Sequence, residues 1–380
     1  MTGREKIEAA LSPDGTPEIP VVISYLDFFV RDHWDRLTDA PWWHVFEPDL
    51  DRQLRWRKDV IDKIGLDWIE LPLEDTASEK DRKHIRIEQH GDAVFRIDTR
   101  TGHKQELIRP HWSHSAADLS PNTGCLPKDP SQIDHIIESA KAHNRINRID
   151  CVQNGLAHRV QEAHGRALFP VAQLMPPLAG FFFMWGYEAA MIMIATRPDL
   201  VEYACNRLFE LNRDDLKNAA RIGTAGIWIE DSFTDMISPG NFHRLNAKFI
   251  RRLAEEIRLL NMKSVYYFSG NPEGKWESLL SLNVDALAFE EGKKGFSVDM
   301  ESVVERVAGR CALFGNLDAI NILPHASPDR LKSEIDRQIK CGRKNNNRFI
   351  MNIGSPVTPG TSVDRVRQYV DLARQSGRGI

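Results

Sequence analysis

The sequence predicts one α/β domain over residues 1–380: a single (β/α)8 TIM-type barrel with an antiparallel β-hairpin inserted after its second strand. Three observations predict it. Short β-rich runs recur along the whole chain, amphipathic helical stretches come after most of them, and no internal repeat or low-complexity linker divides the chain. The runs are Ile19–Ser24, Leu66–Leu71, Leu168–Leu174, Gly226–Glu230, Ser264–Phe268, Ala286–Phe289, Cys311–Phe314 and Phe349–Ile353. Several are nearly continuous in apolar residues, as strands buried on both faces should be.

The helices carry their own start signals. Ser238-Pro239 opens a periodic stretch reaching Leu260, and Ser327-Pro328 opens another to Lys340, stopped by Gly342. A hydroxyl at the N-cap accepts from an otherwise unpartnered N–H, and proline fits the first helical position because it has none to offer. A last helix runs from Thr361 to Ala373. The insertion, at about 84–108, breaks the pattern: Ile85 to Ile108 alternates apolar and polar residues, with turns at His90-Gly91-Asp92 and Thr101-Gly102. It reads as a hairpin or meander serving as a lid or a dimer-facing flap.

Composition narrows the class. The chain has 380 residues, 42% hydrophobic and 27% charged, with net charge −4. That suffices for a large core, and the mild acidity without interleaved basic and aromatic residues argues against nucleic acid. The basic run Lys340 to Arg348 reads as a solvated loop. Met1 to Lys6 lacks an apolar h-region, so no signal peptide is expected. Leu178 to Ala195, interrupted by Gly180, Gly186 and Glu188, reads as a buried helix, not a membrane span. The five cysteines (Cys125, Cys151, Cys205, Cys311, Cys341) form no C-x-x-C pair and read as reduced thiols. A soluble cytoplasmic protein is the expectation.

A barrel of this kind places its chemistry at the carboxyl ends of its strands. At or just past the ends of the runs stand Tyr25 and Asp27, Glu70, Gln173, Glu230-Asp231, Tyr267 with Ser269 and Asn271, Glu290-Glu291, Asn316 with Asp318, and Ser355. This rim suits acid–base or hydrogen-bonding chemistry, and it holds no thiol and no histidine at a strand end. Adjacent residues on a strand point to opposite faces, so at most one of each acidic pair should face the pocket. The other would cap a helix, and Asn316 and Asp318 could equally satisfy loop backbone. The aromatics Phe28, Phe29, Trp34, Trp42, Trp43, Phe46 and Trp56, with Phe181, Phe182, Phe183 and Trp185, read mainly as core. The sharper reading has some of them lining an apolar pocket for a flat ring or a methyl-bearing ligand.

Several motifs in sequence order carry a family resemblance. They are Pro177 to Pro198, Glu230-Asp231 with Ile237-Ser238-Pro239, Gly270-Asn271, Gly315-Asn316-Leu317-Asp318, and Gly354-Ser355-Pro356-Val357-Thr358-Pro359-Gly360-Thr361. Together they resemble the superfamily of uroporphyrinogen decarboxylase and the cobalamin- or coenzyme M-linked methyltransferases. Its zinc-dependent members carry His-x-Cys on the fifth strand and Gly-Cys after the eighth. Here those positions are Tyr267, Ser269 and Ser355, and no metal is expected, because hydroxyls are poor zinc ligands. The porphyrin decarboxylases carry an arginine-rich loop after the first strand, whereas Tyr25 to His33 offers one arginine among two aspartates, a poor grip on an octacarboxylate.

The resemblance therefore implies a zinc-independent methyl transferase that demethylates a small-molecule donor. Its acceptor would be tetrahydrofolate or a corrinoid, the latter on a corrinoid protein. Asp231, Glu290 and Tyr267 are the expected catalytic groups. Tyr25, Asp27, Gln173, Glu230, Ser269, Asn271, Glu291, Asn316, Asp318 and Ser355 are the expected binding groups, with Asn271, Asn316 and Asp318 reading a pterin edge. By analogy a homodimer is expected, with no nucleic-acid or membrane partner. The alternatives are a decarboxylase of a small carboxylate, anchored by Arg31 or Arg36, and a non-catalytic ligand-binding barrel.

Overall fold

The computed structural model describes residues 1–110, 126–142, 154–292 and 295–378. Cys125 and Cys151 lie outside them, and Cys205, Cys311 and Cys341 are buried free thiols. Ten strands are described: β1 (Trp68–Glu70), β2 (Ile85–His90), β3 (Ala93–Asp98), β4 (Lys104–Leu107), β5 (Phe169–Leu174), β6 (Gly226–Asp231), β7 (Lys263–Phe268), β8 (Ala286–Phe289), β9 (Ala312–Phe314) and β10 (Phe349–Ile350). Seven form a parallel curled sheet in the order β1-β5-β6-β7-β8-β9-β10. Helices separate its strands in the chain, as parallel crossovers require.

The predicted first strand, Ile19–Ser24, does not form a ladder. It makes one bridge, from Val21 to Met351. Two features prevent a ladder: Pro20 has no N–H, and the N–H of Val21 donates to the distant Asp67 carboxylate at 2.7 Å. Residues 20–22 still bond both edges of the sheet. Val22 donates to the Met351 carbonyl at 2.9 Å and Asp67 donates to the Val21 carbonyl at 2.9 Å. Asp67 also receives Lys6 Nζ at 2.6 Å, tying the helix Gly3–Leu11 beneath the strands.

The insertion is a three-stranded antiparallel meander, β2-β3-β4, so the expected hairpin gains a strand. Val94 and Leu107 are its buried residues. The apolar run from Leu178 forms two helices, Pro177–Trp185 and Tyr187–Thr196, bent by 118°. Gly186 makes the break at φ +79°, a conformation that any Cβ disfavours. Among the described residues no single helix is long and apolar enough to cross a membrane.

The Ser238-Pro239 helix start is present, with Ser238 Oγ accepting from the Asn241 N–H, but a π-helical turn occupies Phe242–Ala247 before the α-helix Lys248–Leu259. The helix begun at Pro328 passes Gly342 and ends at Arg343. The run beyond it is not a solvated loop. Asn345 is fully buried and donates to the carbonyls of Cys311 and Arg348 at 3.0 and 3.1 Å.

Candidate active site

Inward-pointing aromatics fill the axis of the curled sheet. Trp228 of β6 stacks on Tyr267 of β7 at 5.4 Å and meets Trp68 of β1 and Phe314 of β9 edge-on, both at 5.7 Å. Tyr25 closes the layer, 5.9 Å from Tyr267 and 6.2 Å from Trp228. Its backbone sits in the left-handed region at φ +59°, uncommon for a side chain of this size and of a kind that clusters at functional sites. That turn starts the helix Leu26–Leu37 and keeps the phenol over the axis.

Above the aromatics lies a ring of carboxylates. Glu290 and Glu291 both sit beyond the last residue of β8, where strand alternation no longer sorts them, and both are 4% exposed. Ser355 Oγ donates to Glu291 Oε2 at 2.7 Å. Gly354 makes this approach possible, since a Cβ there would stand 2.5 Å from the Glu291 nitrogen. Tyr267 donates its hydroxyl hydrogen to the Gly354 carbonyl at 2.9 Å. Burial, then the charges of Glu290, Glu291 and Glu230, hold its phenol well above its ordinary pKa. Tyr267 is thus a neutral phenol whose hydrogen is engaged.

Glu230 and Asp231 divide as strand geometry demands. Glu230 lies opposite Tyr267 in the β6–β7 register and, through space, raises the pKa of Tyr25, Tyr267 and Glu70, which places it at the axis. Asp231 points outward beneath the π-helical turn, accepting from Tyr266 at 2.8 Å and from Asn246. The expected catalytic position of Asp231 is corrected on this point: it is 1% exposed and enclosed between sheet and helix.

Three of the expected ligand readers are committed to loop backbone. Asn271 accepts from the Glu273 N–H at 3.0 Å, and Asn316 donates to the Val298 carbonyl at 2.7 Å. Asp318 accepts from the N–H groups of Ile320 and Asn321 at 2.8 and 2.7 Å. Ser269 is buried, its N–H donating to the Asp231 carbonyl at 3.3 Å.

Beside the carboxylate ring opens a cavity of about 480 Å³, large enough for a small cofactor or substrate. Its walls come from the helices Leu26–Leu37 and Leu50–Ile64, the short 3-10 turn Trp42–Phe46 and the end of β1: Phe28, Trp34, Trp42, Trp56, Val60 and Ile69 are the main apolar faces. Glu70 and Gln173 line it as well, with Gln173 Nε2 donating to Glu70 Oε2 at 3.2 Å. Burial first, and then the nearby charge of Asp27, push Glu70 up to about 8, against bonds from the Leu26 N–H and Gln173 that favour the ionised form. Glu70 is therefore protonated at neutral pH. Asp27 lines the same cavity at its solvent edge, and burial raises it too.

The sequence marks Glu70 as a strand-end residue without giving it a role, and Trp34 and Trp56 read there mainly as core. The signal that could have found Glu70 is its position: an acid at the carboxyl end of the strand Trp68–Glu70, with an aromatic-rich helix pair before it in the chain. Nothing in the sequence singles out Arg57. It comes directly after Trp56, beside the buried stripe Gln53-Trp56-Val60-Ile64 of the helix Leu50–Ile64.

The positions that resemblance assigns to zinc do not suit that ion. Tyr267 and Ser355 each donate to an oxygen already in place, and neither is ionised thiolate, imidazole or carboxylate. Among the described residues, no three His, Cys, Asp or Glu side chains are grouped to hold a metal.

A curled parallel sheet with acids and amides at its carboxyl ends, opening into an aromatic cavity, defines an α/β protein with a fold of the TIM-barrel type. The family profile described as "Uroporphyrinogen decarboxylase (URO-D)" matches residues 124–376, more than half the chain, and the protein belongs to that family. Similar curated proteins include uroporphyrinogen decarboxylases of Thermodesulfovibrio yellowstonii, 26% identical over 42% of this chain and 44% of theirs, and of Burkholderia mallei, 25% identical over 51% and 52%. The chain thus spans about half the length of these relatives. Among solved structures, a methyltransferase from Methanosarcina mazei superposes with a TM-score of 0.65 at 16% identity, covering 99% of both chains. That likeness shows the fold.

Proposed function

We propose that the protein is a methyl transferase acting on a small, largely apolar donor, with Glu70 as the general acid. The observation that carries this reading is a carboxyl group held at about 8, facing an aromatic cavity and oriented by Gln173. A methyl group leaves when the bond from carbon to its heteroatom breaks and the electron pair stays with the heteroatom. A protonated acid within reach neutralises the developing charge, an effect typically worth about 10²–10⁴ in rate. Aromatic walls orient the donor and exclude water.

The acceptor is proposed to be tetrahydrofolate or a corrinoid, and when bound it supplies the nucleophile, N5 or Co(I). The carboxylate ring of Glu230, Glu290 and Glu291 suits the amino and amide N–H edge of a pterin, which needs acceptors. This role passes to those three from Asn271, Asn316 and Asp318, whose groups hold loop backbone. The proposed route is independent of zinc, because Tyr267 and Ser355 are engaged as hydrogen-bond donors.

Decarboxylation of a small carboxylate anchored by Arg31 or Arg36 fits less well. Arg31 is paired with Asp32 at 2.8 Å, and Arg36 is exposed. The test is incubation with methoxylated benzenes and benzoates plus tetrahydrofolate, and separately plus cob(I)alamin, with mass spectrometry of the acceptor as the readout. A methylated acceptor and a demethylated donor are expected. Release of CO₂ from the benzoates with no methylated acceptor would replace this reading with the decarboxylase.

A further inference from the structure

Three arginines line the aromatic cavity, and they differ in how they are matched. Arg31 pairs with Asp32 and Arg109 with Asp35, each at 2.8 Å. Arg57 has no carboxylate within ion-pair distance among the described residues. Its charge lies over the Trp56 ring at 4.0 Å, and Nη1 donates to the Gln53 carbonyl at 3.2 Å and to the Gln53 side chain. The other edge of the guanidinium, Nε with Nη2, donates to nothing among the described residues. That edge is the one that meets a carboxylate with two parallel bonds. Asp75, the acid whose field acts on Arg57, is itself paired with Arg82 and accepts from the Leu156 N–H.

Arg57 is half-buried at the cavity wall, and an arginine keeps its proton, so its charge is only partly met by water and by Gln53. Among the described residues no carboxylate meets the Nε and Nη2 edge, and an anion brought by a ligand can. We infer that the cavity takes a flat ring bearing one carboxylate, the ring between Phe28, Trp34 and Trp42, the carboxylate on the Nε and Nη2 edge of Arg57. This rests on the transferase reading and names its donor class: an aromatic acid whose methyl group is carried elsewhere on the ring. One carboxylate balances one guanidinium. A phosphate dianion would leave surplus charge beside Asp27 and Glu70, which disfavours it. Arg57 is then the specificity-determining residue, since a site built for an anion rejects the neutral isostere by leaving its cation unpaired.

The test uses the intact protein and two probes of the same shape, benzoate and benzamide, with calorimetric titration as readout. Benzoate is expected to bind the native protein at least tenfold more tightly than benzamide. Arg57→Leu is expected to abolish that preference, weakening benzoate at least tenfold and leaving benzamide unchanged. Arg57→Gln keeps a polar side chain without the charge and serves as the second variant should Arg57→Leu not fold, with the same expected loss. Equal binding of the two probes by the native protein, binding of neither, or benzoate affinity that survives both substitutions would overturn the inference. Binding is read without turnover, so selective benzoate binding with no methyl transfer would remove the transferase reading and leave the anion site standing.

Discussion

Glu70 and Asp231 close two strands of the same sheet, β1 and β6, and both carry pKa values raised mainly by burial, to about 8 and about 6. Their surroundings are opposite. Asp231 is sealed on the outer face, with Tyr266 and Asn246 bonded to a single oxygen. Glu70 opens into a cavity walled by tryptophan and phenylalanine, held by Gln173 and the Leu26 N–H. A displaced pKa records burial, and access decides whether the proton can be used. That difference moves the proposed acid from Asp231 to Glu70.

The sharpest way to break the comparison is to remove each proton in turn. Glu70→Gln keeps shape and polarity, and kcat for methyl transfer is expected to fall by about 10²–10³ with the fold intact by circular dichroism. Native activity should decline as pH rises through about 8, where Glu70 loses its proton, and the variant's residual activity should lack that limb. Full activity in Glu70→Gln would end its role as acid.

Asp231→Asn is expected to act on stability and leave kcat near the native value. The folded-state pKa of Asp231 lies above the unfolded one, so the native protein loses stability as pH rises from 3.8 to about 6. The variant cannot ionise there. Between pH 4 and 7 its stability relative to the native protein should therefore improve, by up to about 3 kcal/mol. Denaturant melts at the two pH values measure this, and a catalytic loss in a stable Asp231→Asn would reverse the comparison.

A smaller effect is expected from Ser355→Ala, which removes the donor to Glu291 and leaves the carboxylate short of one bond. The cost should be about 1.5–3 kcal/mol in urea unfolding. The smallest concerns the tuning of Glu70. Gln173 donates to it and favours its ionised form, so Gln173→Leu should move the alkaline limb above 8. A limb moved below 8 would show that Gln173 acts otherwise.

Much of this architecture is legible in the sequence because parallel strands buried on both faces leave long apolar runs, and seven of the eight proposed runs contain strands of the sheet. The eighth, Ile19–Ser24, fails through a contact no local pattern reveals: Asp67, far along the chain, captures the Val21 N–H. Strand parity foretold that Glu230 and Asp231 would face apart. Trp228, which fills the axis, shares the parity of Glu230 and so decides which of the two faces inward. The same rule misled at Glu290-Glu291, because the strand ends at Phe289 before either acid. Asn316 and Asp318 could have served ligand or loop, and neighbouring backbone claimed them. Arg57 and the cavity were invisible because their walls come from two helices, a short turn and a strand end that only tertiary packing brings together.

The proton on Glu70 is the point on which the account stands, and it can be observed without knowing the substrate. Infrared difference spectra of the native protein against Glu70→Gln, recorded from pH 5 to 9, isolate the carboxyl C=O stretch of this one residue. The account predicts a protonated band at neutral pH that fades with a midpoint near 8. A midpoint below 6 would mean that Glu70 is an ordinary carboxylate with no proton to give at neutral pH, and the proposed chemistry would have to start elsewhere.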